Sequence, residues 1–257
     1  MSKLSKQIEE INLESHHRSL EINYMFSQLN SFDNKFLDEN LLLKENLIDD
    51  DGNEMVNVLD KYFLARSVLV FSYATIERFV KSLSQHALTA ILDNNYFSNN
   101  VKDLMCILKF QNKPVDIFSL IMHYKKSSSA DHDFEFKQDK GYFSRRDRID
   151  SNSIVHIVSV LDLNKKEPLL KIPKLTLDNL AKARMNLAHG DYLGELKRFN
   201  ASRDSIKIED INNHIDEVFH LNETTKDELV NFIEDFKNKI VGLLSEIDEF
   251  TQVTTTL

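Results

Sequence analysis

From Glu54 to Asp93 the chain contains neither proline nor glycine. Within that run Leu59, Phe63, Val70, Tyr73, Ile76, Val80, Leu83, Ala87 and Ile91 recur at helical spacing, which predicts one long central helix. At ~1.5 Å per residue it spans roughly 60 Å, more than a domain diameter, which leaves room for a bend or break. The whole chain of 257 residues has only 5 glycines and 3 prolines, with 42% hydrophobic residues. Such a composition can bury a substantial core and disfavours turn-rich β architectures. The expected fold is all-α, a single domain over residues 1–257.

Other stretches fit that frame. Leu4, Ile8, Ile11, Ile22, Met25, Phe26 and Leu29 mark one face of a first helix over residues 3–30. Shorter helical pieces are expected over 35–48, 101–110 and after Pro114, with a turn at "DDDGNE", 49–54. Its Gly52 stands at the wrong offset for a calcium-binding EF-hand loop. Residues 127–153 turn to serine, charge and scattered aromatics, the composition of a loop insertion. Helical pattern resumes in "SIVHIVSVLDL", and "EPLLKIP" reads as an extended linker. Thr176 is the expected N-cap of "LDNLAKARMNLAH", with Gly190 as its stop. Two further helices are expected over 208–221 and 226–250, the latter capped by Thr224 or Thr225, ahead of a frayed tail "TQVTTTL". No internal repeat is visible.

Several classes of function fall away. "MSKLSKQIEE" has no apolar core for a signal peptide, and the charge-free apolar stretch Ser67 to Ile76 is far too short to cross a bilayer. A soluble, cytoplasmic protein is expected. The one cysteine, Cys106, cannot form an internal disulfide or a cysteine metal cluster, and reads as core packing. His16, His17, His123 and His132 lack zinc-ligand spacing. Phosphate-binding glycine loops, nucleophile elbows and kinase motifs are missing, so neither cofactor nor metal is called for. A net charge of −9 argues against broad electrostatic binding of nucleic acid, so any such contact must be local.

The chemistry-bearing stretch is "ARMNLAHGD", residues 183–191. Arg184 lies on the stripe of Leu177, Leu180 and Leu187, which points it inward or toward a partner and demands an anion. His189, five positions on, is rotated by about 140° in a regular helix. The two converge only if the helix ends between them or a second copy of the chain supplies the other half. Glu77 closes an uncharged run one turn after Tyr73, and is a candidate carboxylate for Arg184. The plainer alternatives are a helix-capping histidine, an arginine in a structural ion pair, and Glu77 on a solvent edge with Arg78 and Lys81.

The two segments "FSYATIERFVKSL" and "LDNLAKARMNLAHGD" together resemble the HEPN superfamily, the higher-eukaryote and prokaryote nucleotide-binding helical domains. The second is similar to its Arg-x4-6-His motif followed by glycine and an acidic residue, the first to its earlier helix with an internal glutamate. The resemblance covers about residues 54–250. It implies an antiparallel helical bundle, here with extra helices and a long loop, that dimerises and brings two Arg-His pairs to one cleft. It further implies a metal-independent endoribonuclease of toxin-antitoxin or antiphage type, with an RNA substrate and an antitoxin or other defence-system partner protein. In that chemistry His189 moves the 2′-hydroxyl or 5′-oxygen proton, Arg184 stabilises the phosphorane, and a 2′,3′-cyclic phosphate remains. Glu77 and Asn186 join the catalytic set, and Tyr73, Lys81, Asp191, Tyr192, Arg145 and Arg146 the substrate-binding set.

The chain departs from the family in two places. Met185 follows the arginine where a polar residue is common, with Asn186 one place later. Asp191 stands where a nucleotidyltransferase-partnered variant has tyrosine, and Tyr192 comes next, so no tyrosine modification is inferred. In the loop, Lys137, Lys140, Arg145, Arg146 and Arg148 interleave with Phe136, Tyr142 and Phe143, a pattern that suits phosphate contact and base stacking but is diluted by aspartates. A non-catalytic interaction module and a nucleotide-binding module are the rival readings.

Overall fold

A computed structural model of the chain describes residues 3–31, 58–96, 98, 109–110, 113–114, 148–189, 215–217 and 219–255. Its elements are α1 (Lys3–Asn30), α2 (Val58–Asp93), β1 (Lys109–Phe110), β2 (Lys113–Pro114), α3 (Ser151–Val160), α4 (Lys174–His189) and α5 (Glu223–Thr255). The architecture is all-α, apart from an antiparallel ladder in which Lys109 faces Pro114 and Phe110 faces Lys113. That ladder replaces the end of the helix expected over 101–110: Pro114, which has no N–H to donate, suits a two-residue edge pairing and cannot extend a helix. The pieces expected over 35–48, 49–54 and after Pro114, the loop over 127–147 and Cys106 lie outside the described residues.

α1 covers the span expected of it and buries Leu4, Ile11, Ser15, Ile22, Phe26 and Leu29, positions three, four and seven apart on one stripe. The central helix α2 is continuous from Val58 to Asp93. With so few glycines in the chain, its end is turned by Asn95 at φ 53°, and Tyr96 N–H donates to the Ile91 carbonyl at 2.9 Å across the turn. Asparagine tolerates this left-handed conformation because its short polar side chain hydrogen-bonds locally.

α3 begins at Ser151, inside the expected loop, because Asp150 caps it. The Asp150 backbone is extended and its carboxylate accepts from Ser153 N and Ser153 Oγ, both at 2.8 Å. Arg148, counted among the loop cations, donates to the same carboxylate at 2.9 Å. Burial pushes the Asp150 carboxyl up, but the Ser153 bonds and Arg148 outweigh it and hold it below the usual range.

Two expected caps are corrected. α4 starts at Lys174, directly after Pro173, so Thr176 lies within its first turn and spends its hydroxyl on Glu228. At α5 the cap is Asn222, whose side-chain oxygen accepts from Thr225 N at 2.9 Å, while Thr225 Oγ1 donates to the His220 carbonyl at 2.6 Å. α5 also runs to Thr255, through most of the expected tail. Of the helix expected over 208–221, residues 215–217 and 219 are described and helical.

Two compact units are distinguished. The first comprises residues 1–19, 76–174 and 231–257, the second 20–75 and 175–230. In the first, Phe79 meets Phe236 edge-on at 6.2 Å and Phe236 lies 5.7 Å from Phe232, all three buried with Leu83, Ile154 and Ile240. Edge-to-face pairs of this kind add about 0.5–1.5 kcal/mol beyond their burial. In the second, Ile22, Phe26, Leu69, Tyr73, Leu177 and Phe219 are among the buried side chains. Polar ties close its rim: Asn30 Nδ2 donates to Glu223 Oε1 at 2.6 Å and Thr75 Oγ1 to Glu21 Oε2 at 3.3 Å.

Candidate functional site

The second unit carries the arginine of the motif. On α4 the core is filled by Leu177, Leu180, Ala181 and Ala183, while Leu187 and Asn186 are half-buried. Of the two directions expected for Arg184, inward or toward a partner, the inward one is not taken: it is exposed, and its guanidinium carbon lies over the Tyr73 ring, 5.8 Å from the centroid. Desolvating an arginine unpaired costs several kcal/mol, roughly, and the exposed Arg184 avoids that cost while its guanidinium carbon sits over a ring. Tyr73 itself is 5% exposed, within the buried stripe Ala65, Leu69, Tyr73 and Ile76 of α2. Its ring serves as a fixed floor under the cation rather than a free surface.

Position 189 closes α4. The helix is unbroken from Arg184 through His189, so the five intervening steps set the two positions about 140° apart around the axis. The helix does not end between the two positions. Beside Arg184, Met185 is 41% exposed, and Leu175 at the start of the same helix is 76% exposed. On α2 of the same unit Phe63 and Phe71 are exposed as well.

Glu77 belongs to the first unit and accepts from Lys81 Nζ at 2.6 Å, one turn on along α2. Both side chains are largely covered, and Arg78 between them is exposed. Glu77 is thus paired within its own helix, with Lys81. Asp191, Tyr192, Arg145 and Arg146 fall outside the described residues, as does the side chain of His189. Among the described residues, no group of three or more His, Cys, Asp or Glu is placed to hold a metal ion, and no helix is long and apolar enough to cross a membrane.

Two features of α2 and α5 were not anticipated from sequence. In the second unit Arg66, half-buried on α2, has its Nε closed off from solvent and without a hydrogen-bond partner. Nothing in the helical pattern distinguishes it from other surface arginines. In the first unit a cavity of about 420 Å³ is lined by Ile91, Tyr96, Leu163, Gly242 and Glu246, among others. There Glu246 accepts from Tyr96 Oη at 3.0 Å and from Lys166 Nζ at 2.5 Å, and these bonds, working against its burial, keep its carboxyl below the usual range. None of the expected site residues lines this cavity.

A scan against family models matches the RiboL-PSP-HEPN family over residues 34–249, most of the chain. The chain belongs to this HEPN family. The matched span begins twenty residues before the resemblance read from sequence, and it leaves α1, Lys3–Asn30, outside. A search of curated proteins and one of solved structures return no match.

Proposed function

We propose that this HEPN protein is a metal-independent endoribonuclease that acts in the cytoplasm as a homodimer, in a toxin-antitoxin or antiphage setting. In this reading His189 exchanges the proton of the ribose 2′-hydroxyl or the departing 5′-oxygen. Arg184 stabilises the charge that builds on the phosphorus oxygens, and a 2′,3′-cyclic phosphate is left. Asn186, half-buried beside the motif, is the candidate polar helper in place of Met185. Glu77, tied to Lys81, contributes charge balance on α2 rather than chemistry.

One observation supports the dimeric form of this reading: α4 continues unbroken through His189, so positions 184 and 189 lie about 140° apart around one helix. A second copy supplies the missing half. Exposed Met185, Leu175, Phe63 and Phe71, all in the unit that holds Arg184, give that copy apolar surface to cover.

The test incubates mixed structured and single-stranded RNAs with wild type, Arg184→Ala and His189→Ala proteins in EDTA. Cleavage to cyclic-phosphate ends by the wild type alone supports the enzyme. Mixing the two inactive variants, after subunit exchange, is expected to restore activity, because each mixed dimer holds one intact arginine and one intact histidine that meet across the interface. Restoration that fails to appear places the pair in one chain. The rival reading, a binding module without turnover, is favoured by exposed Met185 beside the motif arginine; it predicts RNA retention with no cleavage by any of the proteins.

A further inference from the structure

Gly242 stands in the interior of α5, where glycine costs helix stability relative to alanine. A Cβ added there meets nothing within 4 Å, and the open space beside it belongs to the cavity of about 420 Å³ in the first unit. Gly242 is exposed, and so are Leu169 and Lys166 on the segment that follows α3, so the cavity opens to solvent. A space of this size, reached from outside, suits a small organic molecule.

The walls are held by the chain's own bonds. On α5, Lys239, Gly242 and Glu246 share one face by their spacing of three and four. Lys239 Nζ donates to the Lys166 carbonyl at 2.6 Å, and Glu246 receives Lys166 Nζ at 2.5 Å, so the segment after α3 is tied down about one turn to either side of the glycine. Within that segment Leu170 N donates to Asn164 Oδ1 at 2.8 Å. Tyr96 is fixed by its hydroxyl bond to Glu246 at 3.0 Å and by the Phe250 ring, edge-on at 5.5 Å. A preformed site of this kind loses little order when it is filled.

The lining decides the class of ligand. Its four lysines are matched by four carboxylates, so it has no net charge with which to select an ion. Several of these groups are already engaged, Glu246 with Lys166 and Tyr96, Glu167 with Leu169 N at 2.9 Å. The apolar part of the lining has no such partners: Ile91, Leu163 and Leu170 border the space from the core, and Leu169 beside them is 53% exposed. We propose that this cavity is a binding site for a small, uncharged, largely apolar molecule, aromatic or branched aliphatic, whose body covers Leu169 and fills the room left by Gly242. Binding is driven by apolar surface leaving water rather than by ion pairing. The site lies in the unit that does not hold Arg184, and it does not depend on the ribonuclease reading.

The experiment titrates the full-length protein with N-phenylnaphthylamine, an uncharged dye that emits in apolar surroundings, beside its anionic analogue anilinonaphthalene sulfonate, using wild type, Gly242→Leu and Leu169→Ser. The wild type is expected to bind the uncharged dye saturably, with an affinity that stays the same from low to high salt. Gly242→Leu should weaken that binding about tenfold, because its side chain occupies the cavity. Leu169→Ser, which alters an exposed side chain and spares the fold, should weaken it about fivefold through lost apolar contact. Without dye, Gly242→Leu should melt at or above the wild type, since leucine is the better helix former and a Cβ there meets nothing. A lower melting temperature for Gly242→Leu means that the room is not available, and overturns the proposal. Dye binding unchanged in both variants places the dye on another surface, such as exposed Phe63 and Phe71, and overturns it as well. Binding of the sulfonate alone, weakened steeply by salt, overturns the ligand class, and a wild type that binds neither dye has no such site.

Discussion

Acid should weaken this fold through one histidine before most carboxylates have taken up protons. His86 lies on α2 with its Nδ1 sealed from solvent. Burial lowers its pKa from 6.5 to about 4, against the opposing pull of a hydrogen bond with the Ser82 backbone. The folded state therefore holds the ring neutral, while the unfolded chain protonates it near pH 6.5. The stability this represents is complete above pH 6.5 and is lost as pH falls from there toward 4. At pH 5 the unfolded chain carries nearly a full proton at this site and the folded chain almost none. At 1.36 kcal/mol per unit, the 1.5 units between 6.5 and 5 cost about 2 kcal/mol. Urea unfolding followed by circular dichroism at pH 7.5 and pH 5, on wild type and His86→Leu, isolates the effect because all other titrations cancel. The wild type should lose about 2 kcal/mol more than the variant over that interval. Equal losses would refute the buried neutral histidine.

Two further outcomes are expected. Phe26→Ala, on α1 outside the family-matched span, should destabilise the protein by about 3–5 kcal/mol in chemical denaturation, because Phe26 is 1% exposed and leaves a cavity; a loss below about 1 kcal/mol would make α1 an accessory. Gly242→Ala should gain about 1 kcal/mol by the same assay, since a Cβ there meets nothing within 4 Å and glycine is a poor residue inside α5.

What the sequence made legible was periodic. Helices α1, α2 and α5 follow stripes of apolar residues long enough to outweigh local ambiguity, and most of the buried positions lie on them, although Phe63 and Val70, expected on the stripe of α2, are exposed. Helix starts were read less well, because several polar residues compete for one cap. Thr176 and Thr225 both suit an N-cap, yet Pro173 advances α4 and Asn222 captures the Thr225 N–H. The motif residues could be named from spacing, but the orientation of Arg184 could not. A stripe position says which side of the helix a side chain leaves from, whereas a long cationic side chain can bend to a ring face instead of entering the core. The closed-off Nε of Arg66 was illegible for a related reason: a donor without a partner among the described residues is defined by what fails to meet it, and that is a property of the packed structure alone.

The acidity of the chain and its proposed substrate are compatible once the charge is located. A net charge of −9 repels a polyanion at long range, so RNA gains little from approaching an arbitrary face. Where cations are neutralised in place, as Lys81 by Glu77 or Lys166 by Glu246, they offer little to a phosphate. In the second unit Arg184 is exposed and has no carboxylate partner among the described residues. On the proposed ribonuclease reading, an acidic background weakens nonproductive encounters with a strand and leaves such an arginine as a local point of attraction. Affinity there should fall only gently with salt, because few phosphates are neutralised and added salt also screens the repulsion of the rest of the molecule.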